Sequence, residues 1–128
     1  MSTLAEEVNP QHLNKSAFLL SSRPLVGNTM KQCLSGILEG IRHLHSLGLV
    51  HNDITPSNIM RDDDGTLVLI DFDSCRKIGE LLRDTETKRT HGWHDPDVKT
   101  ASEKNDLDAF SELQTWLFGL SVDEFLFK

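Results

Sequence analysis

Four polar side chains between positions 51 and 71 have the types and spacing of a phosphate-handling site: His51, Asp53, Asn58 and Asp71. Asp53 and Asn58 stand five residues apart in a polar loop, where a carboxylate can accept the proton of an attacking hydroxyl group. Asn58 and Asp71 offer the hard oxygen ligands that magnesium prefers. The loop and the strand end after it therefore supply the kinds of group that phosphoryl transfer needs: a carboxylate for the hydroxyl proton and oxygen ligands for magnesium.

The elements that position these residues are predicted from hydrophobic spacing and turn residues. A helix from about Thr29 to Leu47 is predicted because apolar residues recur at helical spacing, and Gly48 suits the left-handed conformation that ends helices. This helix leads directly into the polar loop. Downstream, two short apolar runs flank Asp64-Gly65, which favours a tight hairpin turn because glycine accepts a positive φ. Asp71 would then stand at a strand end.

The remaining segments are less regular. Residues 74–99 are polar and threonine-rich without a period, which predicts a mobile loop. A second helix follows at about 102–119, capped by Ser102 or Asn105. Its predicted apolar side consists of Leu107, Phe110, Leu113, Leu117 and Leu120. Residues 1–27 are left unassigned, because Pro10, Pro24 and Gly27 interrupt the one apolar run around Phe18.

Composition narrows the class of protein. At 128 residues, with 38% hydrophobic and 26% charged residues, the chain fits one globular domain. A formal net charge of −7 argues against nucleic acid or a membrane as partner, since both reward basic clusters. The acidic start is unlike a signal peptide, and no stretch is long and apolar enough to cross a membrane. These features predict a cytoplasmic or nuclear protein.

Two motifs resemble those of eukaryotic protein kinases. The run L-H-S-L-G-L-V-H-N-D-I-T-P-S-N-I-M is similar to the catalytic loop H-R-D-L-x-x-x-N, and Asp71-Phe72-Asp73 stands where the family has D-F-G. In R-T-H-G-W-H-D-P-D, Thr90 lies six residues before Pro96, as in the family's G-T-x-x-Y-x-A-P-E. This second match favours protein kinases over small-molecule kinases.

The resemblance implies an α+β, mostly helical fold: a fragment of the large C-terminal lobe with a small β-hairpin, in residues 28–128. It divides that part into a catalytic loop (49–58), a metal-binding strand end (71–73), an activation segment (74–97) and a central helix (about 102–119). The small N-terminal lobe is expected to be absent, because no G-x-G-x-x-G or V-A-I-K-like motif precedes the catalytic loop.

The resemblance also implies roles for single residues. Asp53 would be the catalytic base of a serine/threonine kinase, and Asn58 and Asp71 would bind Mg²⁺ and, through it, ATP. Three further residues would support the site: His51 under the loop, Asp106 at the start of the central helix and Thr90 in the activation segment. The implied partners are a nucleotide and a protein substrate.

Three departures from the family pattern bear on activity. Asn52 replaces the arginine that reads a phosphorylated activation loop, so the usual phosphorylation switch is not expected. Thr55 replaces a lysine that neutralises the transferred phosphate, and Asp73 adds a negative charge in place of glycine. These changes would weaken catalysis or alter the choice of substrate.

Two alternative functions stay open at this level. One is a small-molecule phosphotransferase of the aminoglycoside or choline type, which shares the H-x-D-x-x-x-x-N skeleton. The other is a pseudokinase or truncated interaction module, because half of the nucleotide site is not encoded. The apolar C-terminal residues predict self-association or a partner there; they are Leu117, Phe118, Leu120, Phe125, Leu126 and Phe127.

Overall fold

Two long helices, α3 (Asn28–Ser46) and α4 (Glu103–Phe118), frame the protein. The computed structural model describes residues 2–21, 28–83 and 89–127. Both predicted helices are present, and the ends of α3 agree with the prediction to within one residue. Gly48 follows α3 with φ +79°, as expected for the residue that ends it. Helix α3 therefore delivers the chain into the loop that begins at Leu49.

The buried face of α4 differs from the prediction. The residues that it buries are Asp106, Ala109, Phe110, Glu112, Leu113, Trp116 and Leu117. Leu107 is 40% exposed and Leu120, beyond the helix end, is 89% exposed, so the prediction was wrong at these two positions. A helix turns about 100° per residue, so Leu107 cannot face the same direction as Asp106 beside it. The buried face of α4 also includes two acidic residues, Asp106 and Glu112, which a pattern of apolar residues does not predict.

The described residues form two small antiparallel sheets where one hairpin was predicted. Strands β2 (Ile59–Arg61) and β3 (Leu67–Leu69) make the predicted hairpin, with Gly65 at φ +84° in its turn. Strands β1 (Leu49–Val50) and β4 (Arg76–Lys77) make the other sheet. The prediction that residues 74–99 lack any element is therefore wrong at β4, although residues 84–88 lie outside the described part. The sequence does not reveal this sheet, because a strand of two residues is too short to show an alternating hydrophobic pattern. The two strands also lie in segments that are far apart in the chain.

The N-terminal segment forms two short helices, α1 (Leu4–Val8) and α2 (Lys15–Leu20). Thr3 and Asn14 cap them, each accepting a backbone N–H through its side-chain oxygen. Leu4 and Phe18 are buried in the main hydrophobic core. Residues 2–21 thus belong to the folded domain, while residues 22–27 lie outside the described part.

The C-terminal residues are only partly exposed. Leu117 and Phe125 are buried, so the prediction of an uncovered apolar face is wrong at these two positions. Leu120 and Leu126 are exposed, and self-association through them stays a prediction. No helix among the described residues is both long and apolar enough to cross a bilayer.

Candidate active site

Asp106 fixes the start of the polar loop from below. Its fully buried carboxylate accepts the backbone N–H of His51 (2.8 Å) and of Asn52 (2.9 Å). His45, on α3, donates Nε2–H to the same carboxylate (2.9 Å). A buried carboxylate needs such donors, and hydrogen bonds to a charged acceptor are stronger than those to a neutral one. The backbone at residues 51–52 is therefore held by both long helices.

Asn52 continues this anchor with its side chain. Its amide group is buried and donates to the carbonyl groups of Val50 (3.2 Å) and Ser74 (2.9 Å). Its Oδ1 accepts a hydrogen bond from Asn105 on α4 (3.2 Å). The backbone of Asn52 has φ +72°, a left-handed conformation that asparagine tolerates better than most residues. Sequence reasoning found only a missing arginine here, whereas the residue links the loop to the segment after the hairpin.

His51 joins the loop to the residue before Asp71. Its buried ring accepts the backbone N–H of Asp53 at Nδ1 (3.1 Å) and lies 3.0 Å from the carbonyl oxygen of Ile70 through Nε2. These partners assign the hydrogen to Nε2, which donates to that carbonyl. The ring of Phe72 packs edge-on against the imidazole, with 5.3 Å between centroids. His51 is therefore a structural link with both ring nitrogens occupied.

Three of the predicted site residues meet at the carboxylate of Asp53. Oδ2 accepts a hydrogen bond from Nδ2 of Asn58 (2.9 Å), and the same Nδ2 donates to the backbone carbonyl of Asp53 (2.9 Å). Oδ1 accepts both the backbone N–H and the hydroxyl group of Thr90, each at 2.8 Å. The carboxylate is held in one orientation by neutral donors, which leaves a lone pair on Oδ2 for a further donor.

Asp71 lies next to a backbone contact with Asn58 but makes few contacts of its own. Ile70 donates its N–H to the carbonyl of Asn58 (2.8 Å), which brings the two predicted magnesium ligands near each other. Asp71 is exposed, has φ +57°, and accepts one long hydrogen bond from the N–H of Asp73 (3.3 Å). Among the described residues, the hydrogen bond that links this part of the chain to Asn58 therefore comes from the backbone of Ile70, and the carboxylate of Asp71 takes no part in it.

These residues fit a magnesium ion by the chemistry of their donor atoms. Because Nδ2 of Asn58 is turned to Asp53, its Oδ1 is the atom left to act as a ligand. The exposed carboxylate of Asp71 offers further oxygens, and magnesium takes such hard ligands together with phosphate oxygens and water. In the part of the chain that the structure describes, no three His, Cys, Asp or Glu side chains are grouped to hold a metal on their own.

A cavity of about 660 Å³ is lined in part by Thr90, the hydrogen-bond partner of Asp53. Its wall includes the loop residues Thr55–Ser57 and the turn Thr90–Trp93. Among the described residues, the hydroxyl group of Thr55 is the buried side-chain polar atom that lacks a hydrogen-bond partner. Among the described residues that line the cavity, the lysine or arginine side chain is that of Lys15. Its ammonium group forms an ion pair with Glu112 (2.6 Å). Within the described residues, the cavity therefore presents no unpaired lysine or arginine where the family pattern has a lysine.

Besides Lys15, whose pKa is lowered by burial, two titratable groups near the site have shifted pKa values. Burial raises the pKa of the Cys75 thiol, and the negative charge of Asp106 raises it further. Burial lowers the pKa of His94. The neutral ring of His94 then donates Nδ1–H to the carbonyl of Thr90 (2.8 Å). Cys75 is therefore a poor nucleophile, and His94 helps to fix Thr90.

Comparison with known proteins matches nearly the whole chain to one family. The family model described as "Protein kinase domain" matches residues 3–128. The serine/threonine-protein kinase STE20 of Debaryomyces hansenii is 32% identical over 90 residues, which cover 70% of this chain and 8% of that protein. The mitogen-activated protein kinase hog1 of Botryotinia fuckeliana is 32% identical over 108 residues, which cover 84% of this chain and 29% of that protein.

A third relative has higher identity over a shorter stretch. The serine/threonine-protein kinase SMU1 of Mycosarcoma maydis is 40% identical over 68 residues, which cover 52% of this chain and 9% of that protein. The chain thus spans less than a third of the length of each of these three relatives.

Proposed function

Because the chain belongs to the protein kinase domain family, we propose that it carries the catalytic loop for ATP-dependent phosphoryl transfer to serine or threonine hydroxyl groups of a protein. The observation that carries this proposal is the carboxylate of Asp53, held by hydrogen bonds from Asn58 and Thr90. The names of the relatives, which are serine/threonine and mitogen-activated protein kinases, support the same reaction.

Asp53 acts on the hydroxyl group that attacks the phosphate. Thr90 occupies Oδ1 and Asn58 occupies one side of Oδ2, so the remaining lone pair of Oδ2 accepts the hydrogen of the substrate hydroxyl. Holding the carboxylate in one orientation reduces the entropy lost when the substrate is aligned. As the bond between the hydroxyl oxygen and the γ-phosphorus forms and the bond from that phosphorus to the departing ADP breaks, Asp53 takes the hydroxyl proton.

In this proposal, Asn58 and Asp71 would hold the magnesium ion. Magnesium-ATP, when bound, supplies the phosphoryl group, and the ion neutralises charge on the phosphates. Oδ1 of Asn58 is oriented by the bond from Nδ2 to Asp53, which also links the metal ligand to the base. The Asp71 carboxylate is exposed and accepts only one long hydrogen bond among those of the described residues, so it can turn to the ion.

The 128 residues by themselves are proposed to lack useful activity. Their sequence contains no G-x-G-x-x-G run to cover the phosphates. Thr55 supplies no cation, and the ammonium group of Lys15 is already paired with Glu112. Phosphoryl transfer depends on positioning and charge stabilisation in an enclosed site, so this chain requires further groups to complete the reaction.

Metal binding tests one half of the proposal. Mn²⁺ replaces Mg²⁺ in a titration followed by NMR, and its paramagnetism broadens the signals of nearby nuclei. We expect broadening at Asn58 and Asp71 that Asp71→Asn abolishes. Asp63→Asn, which changes an exposed carboxylate in the hairpin turn, should leave the broadening intact. Broadening at the hairpin alone would refute the assignment of the metal ligands.

Phosphate transfer tests the other half. Radiolabelled Mg-ATP is supplied to the chain alone and to the chain joined, ahead of Thr3, to the small lobe of a characterised serine/threonine kinase. We expect no transfer by the chain alone and transfer to serine or threonine peptides by the fusion. Asp53→Asn should abolish this transfer, whereas Asp63→Asn should not. Transfer that survives Asp53→Asn would contradict the role of Asp53.

A further inference from the structure

Lys15 holds a position that the proposed chemistry does not require. Its ammonium group donates to three oxygen atoms: the carbonyl of Gly92 (2.5 Å), Oε2 of Glu112 (2.6 Å) and the carbonyl of Phe127 (2.7 Å). An ammonium group has three hydrogens, so these acceptors use all of them. The ammonium also lies 5.1 Å from the ring centroid of Trp93 and 4.4 Å from that of Phe125. Four separate parts of the chain therefore meet at one side chain.

Glu112 completes the group from α4. It is fully buried, and besides Lys15 it accepts the backbone N–H of Leu126 and of Phe127, each at 2.8 Å. Such a buried pair is weak evidence for stability, because removing both charges from water offsets much of their attraction. What the pair does provide is a defined geometry for its hydrogen-bond partners.

The contact with Gly92 leads directly to Asp53. Residues 90–93 form a turn in which Trp93 donates its N–H to the carbonyl of Thr90 (3.2 Å), and Gly92 has φ +84°. Lys15 holds this turn at two points, the carbonyl of Gly92 and the ring of Trp93. Thr90, at the first position of the turn, donates both its N–H and its hydroxyl to Asp53.

We propose that Lys15 is a positioning residue, which, through Gly92 and Trp93, holds Thr90 against the carboxylate of Asp53. The relevance to catalysis rests on the proposed function, but the positioning itself does not. The side chain acts as a fixed internal cation that orders the turn at residues 90–93, near the end of the activation segment. Its role is separate from that of Asp106, which holds the loop backbone at residues 51–52.

Amide hydrogen exchange, followed by NMR, measures this positioning without any need for activity. In Lys15→Met the N–H of Thr90 should exchange about tenfold faster, because losing a net hydrogen-bond energy of ordinary size changes an opening equilibrium by about that factor. The N–H groups of residues 51–52, which donate to Asp106, should keep their protection. Lys31→Met is the matched control, since Lys31, on α3, lies over the ring of Phe118 (5.4 Å). It should leave Thr90 unchanged.

A double variant separates positioning from general stability. Lys15→Met alone leaves the buried carboxylate of Glu112 without its cation, so adding Glu112→Gln, which removes that charge, should recover part of the lost stability. The recovery is partial because the amide of glutamine has one acceptor oxygen for the N–H groups of Leu126 and Phe127. We expect Thr90 exchange to stay fast in this double variant. Thr90 protection that is unchanged in Lys15→Met, or is restored along with stability in the double variant, would overturn the proposal. Neither result would bear on whether phosphate transfer depends on Asp53, which the transfer assay tests separately.

Discussion

The loop around Asp53 and the segment Asp71–Asp73 are held to very different degrees. In the loop, the N–H groups of His51 and Asn52 donate to a fully buried carboxylate. Residues 71–73 are all exposed, and the hydrogen bond that the structure gives between them is the long one from Asp73 to Asp71 (3.3 Å). The proposed base is therefore set by the protein, while the proposed metal ligand is largely left to solvent.

This difference agrees with what each part must do in the proposed reaction. A base must stand in one place relative to the attacking hydroxyl, and buried hydrogen bonds provide that order before any ligand arrives. A metal ligand gains its order from the ion, so a less restrained carboxylate at Asp71 is sufficient. The comparison predicts large losses of folding stability from substitutions of the residues that hold the loop, and small losses from substitutions of Asp71.

The largest effect is expected for Asp106→Ala. It leaves the buried N–H groups of His51 and Asn52 without an acceptor, and we expect a loss of about 3–5 kcal/mol in the free energy of unfolding. Chemical denaturation measures this loss. Asp108→Ala on the same helix removes the half-buried partner of the exposed Lys104 and should change stability by less than about 1 kcal/mol. Equal losses in the two variants would contradict the anchoring role.

A smaller loss is expected for Asn52→Ala. The change removes the side-chain hydrogen bonds to Val50, Ser74 and Asn105, and it places alanine at φ +72°. We expect a loss of about 2–3 kcal/mol in the free energy of unfolding, measured by the same denaturation. Asn52→Gly should lose about 1 kcal/mol less, because glycine adopts this backbone conformation without strain. If glycine is as damaging as alanine, the backbone conformation contributes nothing to the effect.

Many of the structural features in these two regions were predictable from local sequence patterns. Helix α3 followed from apolar spacing, the β2–β3 hairpin from Asp64-Gly65, and the shared loop of Asp53 and Asn58 from their separation. Each of these features depends on residues that are close in the chain. Their roles in catalysis and metal binding stay predictions.

The features that sequence reasoning missed depend on distant pairs. Lys15 and Glu112 are 97 residues apart, and β1 pairs with β4 through strands only two residues long. Glu112 did give a signal, since it lies three residues after Ala109 and four before Trp116 on a helical face that is buried. A carboxylate on such a face requires a partner, but the sequence does not say which residue supplies it.

Near-zero change in stability is expected for Asp71→Gly. Asp71 is exposed at φ +57°, and glycine relieves this conformation while adding freedom to the unfolded chain, so the two effects roughly cancel, within about 0.5 kcal/mol. The same variant should lose the Mn²⁺-induced broadening at Asn58. Denaturation and the NMR titration together test both statements. A loss of stability as large as that of Asp106→Ala would remove the contrast between the two regions.

The smallest expected effect on folding stability comes from the ionisation of Cys75, which lies just after the exposed residues 71–73. Burial, and then the charge of Asp106, raise its pKa, so the folded chain holds the thiol proton more firmly than the unfolded chain does. Its contribution to stability is therefore present below about pH 8 and declines as the pH rises through the folded-state pKa. In Cys33→Ser, where Cys75 is the one thiol left, the rate of alkylation by iodoacetamide should rise with pH at a higher midpoint in the folded chain than in the chain unfolded by urea. A midpoint at or below that of the unfolded chain would show that neither burial nor the charge of Asp106 raises the pKa of this thiol.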